Sequence, residues 1–128
     1  MKKLLILLSL HVFSLAAQAQ DAARWLRYPS ISPDGSQIAF GYKGDIYLVS
    51  SAGGLAVPLT IHESQDMMPV WSHDGKSIAF ASDRYGNFDV FVMPVSGGSP
   101  TRLTYHSVAD YPQDFTPDDH HVLFTSSR

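Results

Sequence analysis

The sequence predicts an all-β chain: a β-propeller of four-stranded antiparallel blades, with about two and a half blades falling within these 128 residues. Three observations carry this. First, Pro29-Ser-Ile-Ser-Pro-Asp-Gly-Ser-Gln-Ile-Ala-Phe40 returns as Pro69-Val-Trp-Ser-His-Asp-Gly-Lys-Ser-Ile-Ala-Phe80, and more loosely at Phe115 to Phe124. Self-similarity at about 40 residues marks a repeat architecture, and that period suits a propeller blade. Second, turn dipeptides cut each unit into four short apolar segments, which can only be antiparallel neighbours when joined so tightly. Third, the second and third segments are apolar at successive positions, which implies burial on both faces. A blade packed between two others meets that demand.

The elements follow in order. The first strand is the Pro-x-Ile/Trp-Ser segment. Asp34-Gly35 and Asp74-Gly75 then supply a tight turn, because Gly accepts φ > 0 and Asp tolerates it. The second strand holds Ile38-Ala-Phe40 or Ile78-Ala-Phe80, and the third Ile46-Tyr-Leu-Val49 or Val90-Phe-Val92. Gly53-Gly54 and Gly97-Gly98 mark the next turn, and the fourth strand ends at Leu59-Thr60 or Leu103-Thr104. Phe40 to Phe80 is 40 positions, whereas Asp45 to Asp89 is 44. Four extra residues therefore lie in the second unit's Ala81–Phe88 stretch, where a loop absorbs length that paired strands cannot. Tyr28, Phe40, Tyr47, Trp71, Phe80, Phe88, Phe91, Phe115 and Phe124 are expected to form mostly inter-blade core.

Residues 1–19 read as a signal peptide: Lys2-Lys3 precede an apolar run from Leu4 to Ala17, and Ala17-Gln18-Ala19 suits a signal peptidase. The apolar run is short for a mature membrane anchor. The expected product, residues 20–128, is exported, periplasmic or secreted, bacterial in style, and not inserted in a membrane. It holds a partial propeller with blade 1 at about 25–60, blade 2 at about 67–104 and an incomplete blade 3 at about 111–128. Since propellers use about four to eight blades, these residues read as the N-terminal fragment of a longer protein. With no Cys anywhere, disulfides, thiolate metal sites and a Cys nucleophile are excluded. Without Lys2 and Lys3, seven basic side chains face twelve acidic ones, a net charge of −5 that disfavours nucleic acid and anionic membranes.

The candidate chemistry resolves into scaffold. His62 and His106 are equivalent repeat positions and suggest loop capping. His73 stands where other units have Pro33 and Pro117, so it is a turn residue. His120 and His121 are adjacent and would point to opposite faces of a strand. Asp34, Asp74 and Asp118 read as turn formers, and Asp45 and Asp89 each open a third strand. No Ser lies in a Gly-x-Ser-x-Gly elbow, and no phosphate-cradling Gly motif occurs. The expectation is no catalytic, cofactor-binding or metal residue in this segment, and no cofactor.

The repeated Ser-Pro-Asp-Gly-x-x-Ile-Ala-Phe phrase, followed by Asp-Ile-Tyr and Gly-Gly-x-x-x-x-Leu-Thr, resembles the WD-like propeller repeat of the TolB and tricorn protease families. Leu26 to Gly35 with Gly44-Asp-Ile-Tyr47 looks like the opening blade of tricorn-type peptidases, and Ala81 to Met93 like their second. The resemblance covers Arg24 to Arg128. Two departures stand out: His73 replaces the usual Pro, and Asp118-Asp119 replaces Asp-Gly. TolB-like proteins carry an α/β domain before the propeller, whereas here the first blade begins just after the leader.

The resemblance implies a propeller that admits and guides peptides in an exported tricorn-like serine peptidase, with the catalytic domain lying beyond this segment. Peptides or proteins are the implied partners, and a homo-oligomer of the full-length protein is compatible. The alternatives are a TolB-like, non-enzymatic, protein-binding propeller in the periplasm, or the propeller of a fused amidohydrolase.

Overall fold

A computed structural model describes residues 25–128. The signal-peptide expectation, residues 1–19, lies outside them. Ten strands form three antiparallel sheets in chain order. The first sheet comprises β1 (Arg27–Ile31), β2 (Gln37–Tyr42), β3 (Asp45–Ser50) and β4 (Val57–Pro58). The second comprises β5 (Asp66–Trp71), β6 (Ser77–Ser82), β7 (Asp89–Pro94) and β8 (Thr101–Arg102). The third is the pair β9 (Asp110–Phe115) and β10 (Val122–Ser126). Within each sheet the strands are paired in sequence order, as a meander of short turns requires.

The sheets are propeller blades. Inner strands pack across the gaps, β1 on β5 and β5 on β9, while the outer strands β4 and β8 make no comparable contact. Blades that touch at their inner edges and splay outwards radiate from an axis. The middle blade is covered on both faces, and its β6 and β7 are almost wholly buried. That is why these strands carry apolar residues consecutively rather than in alternation.

The core joins the first two blades. Ala39 and Ile46 of the first pack with Trp71, Ile78, Phe80, Phe91 and Met93 of the second. Register places Phe80 opposite Phe91, with ring centroids 5.9 Å apart, and Phe40 opposite Tyr47 at 6.0 Å. Emptying the fully buried Phe80 position to Ala would cost about 3–5 kcal/mol. The Trp71 indole N–H donates to the Ser30 carbonyl at 3.0 Å, tying the second blade to the first strand of the blade before it.

Three expectations need correction. Tyr28 and Phe124 are not core; they are 42% and 40% exposed, because Tyr28 borders an open cleft beside Gln65, Asp66 and Met67 and Phe124 a crevice beside Val90, Leu103 and Thr104. The fourth strands are two residues long and stop before Leu-Thr, since Thr60 and Thr104 turn their hydroxyls back to accept the amides of Ile46 and Val90. In the Asp-Gly turns only the glycine takes positive φ, 72° at Gly35 and 70° at Gly75. The aspartate serves through its carboxylate.

Candidate functional site

The meander gives the molecule two faces. One holds the β1–β2 type turns, the other the β2–β3 type turns and the connections between blades.

On the first face each blade repeats one network. Ser32 donates its hydroxyl to Asp34 at 2.6 Å, the Ser36 amide donates to the same carboxylate, and the Gln37 amide donates back to Ser32 Oγ. Ser72, Asp74 and Lys76, and then Thr116, Asp118 and His120, repeat it. The Ser32 hydroxyl, followed by the Ser36 amide and hydroxyl, holds Asp34 down to about 2 from an ordinary 3.8. Asp74 is lowered by the Lys76 amide and the Ser72 hydroxyl, and Asp118 by the Thr116 hydroxyl and the His120 amide. These carboxylates are acceptors in turns. The turn-former expectation stands.

The two departures from the repeat meet on this face. Asp119 has φ of 58° where the other blades have Gly35 and Gly75. It reaches the preceding blade and accepts the amides of His73 at 2.7 Å and Asp74 at 2.8 Å, with His73 Nδ1 at 3.1 Å. Desolvation pushes its carboxyl up, but the His73 and Asp74 amides outweigh this and hold it low. At the junction before, Gly75 faces Pro33, which has no amide to offer. His73 and Asp119 are therefore a matched pair: an amide appears where a carboxylate has come to receive it.

The opposite face carries buried ion pairs. Asp66 accepts both bonds from Arg84 Nη2 at 2.9 Å, and Arg84 Nε donates to Ser82 Oγ at 2.8 Å. The Arg84 guanidinium lies 4.8 Å from the Phe91 ring centroid. The third blade repeats the set with Asp110, Ser126 and Arg128, although Asp110 Oδ1 is buried without a partner. Asp89 forms a further pair with Arg102 at 2.6 Å, while Asp45 accepts the His62 amide at 3.0 Å. Asp66 and Asp110 stand at equivalent positions of the repeat, 44 residues apart, but sequence reasoning missed their arginines. The signal was present in Ser82-x-Arg84 and Ser126-x-Arg128 at the same offset.

The histidines behave as caps. The His62 ring accepts the Ser64 amide and the His106 ring the Val108 amide. His120 and His121 engage the Asp118 turn through their own amides. Among the described residues no serine hydroxyl is bonded to a histidine ring, and no cluster of His, Asp or Glu is spaced for a metal ion.

The first blade has Leu26 and Gly44 where the later blades have the aspartate and arginine. At that place a cleft of about 180 Å³ opens between the first two blades. Trp25, Tyr28 and Tyr42 wall one side with Arg27 and Lys43, and Gln65, Asp66 and Met67 wall the other. It is the candidate binding site of this face.

Residues 23–128 match the family described as the tricorn protease N-terminal β-propeller domain. The chain belongs to that family. Tricorn protease homolog 1 of Streptomyces coelicolor is 36% identical over 84 residues, covering 66% of this chain and 8% of the relative. An uncharacterized protein of Agrobacterium fabrum is 36% identical over 104 residues, covering 77% of this chain and 35% of the relative. Among solved structures, TolB from Acinetobacter baumannii superposes with a TM-score of 0.70 at 27% identity, over 81% of this chain and 27% of that one. The tricorn-type propeller seen here spans about a third or less of the length of the curated relatives it matches.

Proposed function

We propose that this tricorn-type propeller segment makes peptide or partner contacts for an exported bacterial serine peptidase, and that the chemistry is carried outside residues 25–128. The supporting observation is the tricorn family match across residues 23–128. The polar side chains favour the same reading: Asp34, Asp74 and Asp118 are committed to turns, Asp66, Asp89 and Asp110 to ion pairs, and the histidine rings that are bonded serve backbone amides or Asp119. The leader pattern at residues 1–19 supports export.

One experiment tests the whole reading. The full-length protein is purified from the envelope or medium of its host, its N-terminus is read, and it is assayed on fluorogenic peptides. The expected product begins at Gln20, cleaves peptides and loses activity to a serine-directed covalent inhibitor. A product that retains Met1 sinks the export reading. Inertness on every peptide, with stoichiometric co-purification of envelope proteins, replaces the peptidase with the second reading, a TolB-like protein-binding propeller. The superposition on TolB from Acinetobacter baumannii favours that reading.

A further inference from the structure

Six Lys and Arg side chains lie in the described residues. Four are paired: Lys76 with Asp74, Arg84 with Asp66, Arg102 with Asp89, and Arg128 with Asp110. Arg27 and Lys43 have no carboxylate partner among the described residues, and both line the cleft between the first two blades. In a chain with more acidic than basic side chains, two unspent cations on one cleft are an uneven distribution of charge.

The cleft has a structural origin. In the second blade Arg84 lies over Phe91 and Phe80 and bonds Asp66, filling the equivalent crevice from within. The first blade is four residues shorter there and offers Gly44 instead of an arginine. Its β2–β3 turn is the two-residue Lys43-Gly44, with φ of 52° and 96°. That turn pairs Tyr42 with Asp45 and sets Lys43 at the rim. The crevice is left open.

The walls hold the cations without neutralising them. The Arg27 guanidinium lies 5.7 Å from the Trp25 ring centroid and the Lys43 ammonium 5.3 Å from that of Tyr42. Asp66 also lines the cleft, but both its oxygens are already taken by Arg84. What remains is positive charge framed by aromatic faces. A carboxylate on a short apolar stem satisfies both features: its oxygens meet the cations and its methylenes lie on the rings. A volume of about 180 Å³ is below the roughly 300–1,000 Å³ of pockets that enclose drug-sized molecules, and suits a single side chain.

We propose that this cleft receives an acidic side chain, Glu or Asp, from an internal segment of a peptide or protein bound on this face. The proposal deepens the reading of the segment as a peptide- or partner-contacting propeller.

The test uses the full-length protein and three peptides. One is capped at both ends with internal Glu residues, the second has Gln in their place, and the third is uncharged except for a free C-terminal carboxylate. Binding is read by titration calorimetry at low and high salt. Arg27→Gln and Lys43→Asn are made singly and together; both sites are exposed, and Asn accepts the positive φ at 43. The capped Glu peptide is expected to bind at least tenfold more tightly than its Gln counterpart. The double variant should lose at least tenfold, and salt should weaken the interaction. Equal binding of the Glu and Gln peptides, or full affinity in the double variant, overturns the proposal. Binding of the free-terminus peptide alone overturns it in favour of terminal capture. Peptide turnover is followed in parallel. Turnover without Glu selectivity sinks only the cleft assignment, and Glu selectivity without turnover sinks only the peptidase reading.

Discussion

Removing Arg84 should loosen the second blade far more than removing both members of its ion pair. Asp66 is fully buried at its side chain and Arg84 is 12% exposed. Arg84→Met deletes both bonds to Asp66 and the bond to Ser82, and leaves a carboxylate stranded away from water. Breaking a buried pair from one side typically costs about 3–5 kcal/mol. At about 1.4 kcal/mol per tenfold, that is roughly two to three and a half decades in an opening equilibrium. The double variant Asp66→Leu/Arg84→Met carries no stranded charge, keeps an apolar stem over Phe91, and should lie close to the parent. The assay is amide hydrogen exchange of β5 and β6 in the full-length protein, under conditions where exchange reports opening. The expected pattern is fast exchange in each single variant and near-parental exchange in the double. If the effects of the single variants add in the double, the two residues are not coupled and the reasoning is refuted.

Two further outcomes follow from the turn face. His73→Pro removes the His73 amide and ring contacts with Asp119, and Asp119→Gly removes these and the Asp74 amide bond, yet together they recreate the Pro33–Gly75 junction, so the double variant should melt above the level expected from summed losses; additive melting shifts would show that the two departures are unrelated. Asp34 titrates near 2 in the folded chain against 3.8 ordinarily, so its stabilising effect is present above pH 4 and lost as pH falls towards 2. The melting difference between the parent and Asp34→Ala should therefore shrink over that window; a difference unchanged from pH 7 to 2 would count against the Ser32–Asp34–Ser36 network.

The fold was legible because it is written as a period. Pro29–Phe40 and Pro69–Phe80 share spacing as well as composition, and consecutive apolar positions in Ile78-Ala-Phe80 already demanded cover on both sides. The turns were legible for the same reason, since Ser32, Asp34 and Gly35 act on one another within four residues. The ion pair of Asp66 with Arg84 spans 18 positions, and the contact of His73 with Asp119 spans 46. At such distances a sequence offers two polar residues and no geometry. His73 and Asp119 were each visible as exceptions to the repeat, but that one answers the other required the blades to be side by side. The cleft was harder still, because it is made by something the first blade lacks. The exposure of Tyr28 and Phe124 shows the reverse error: an aromatic at a core repeat position is buried only where the neighbouring blade closes on it, and both of these border crevices that stay open.

The brevity of β4 and β8 has a consequence for the history of such chains. Each is two residues long, and β4 ends in Pro58, which has no amide to lend to a passing strand. An outer rim built this way offers almost no ladder for a second molecule to extend. The protection is supplied unit by unit and needs no special cap. A gene that copies one unit in tandem therefore copies its guarded border too, and the circumference can grow or shrink by duplication without the outside becoming adhesive to itself.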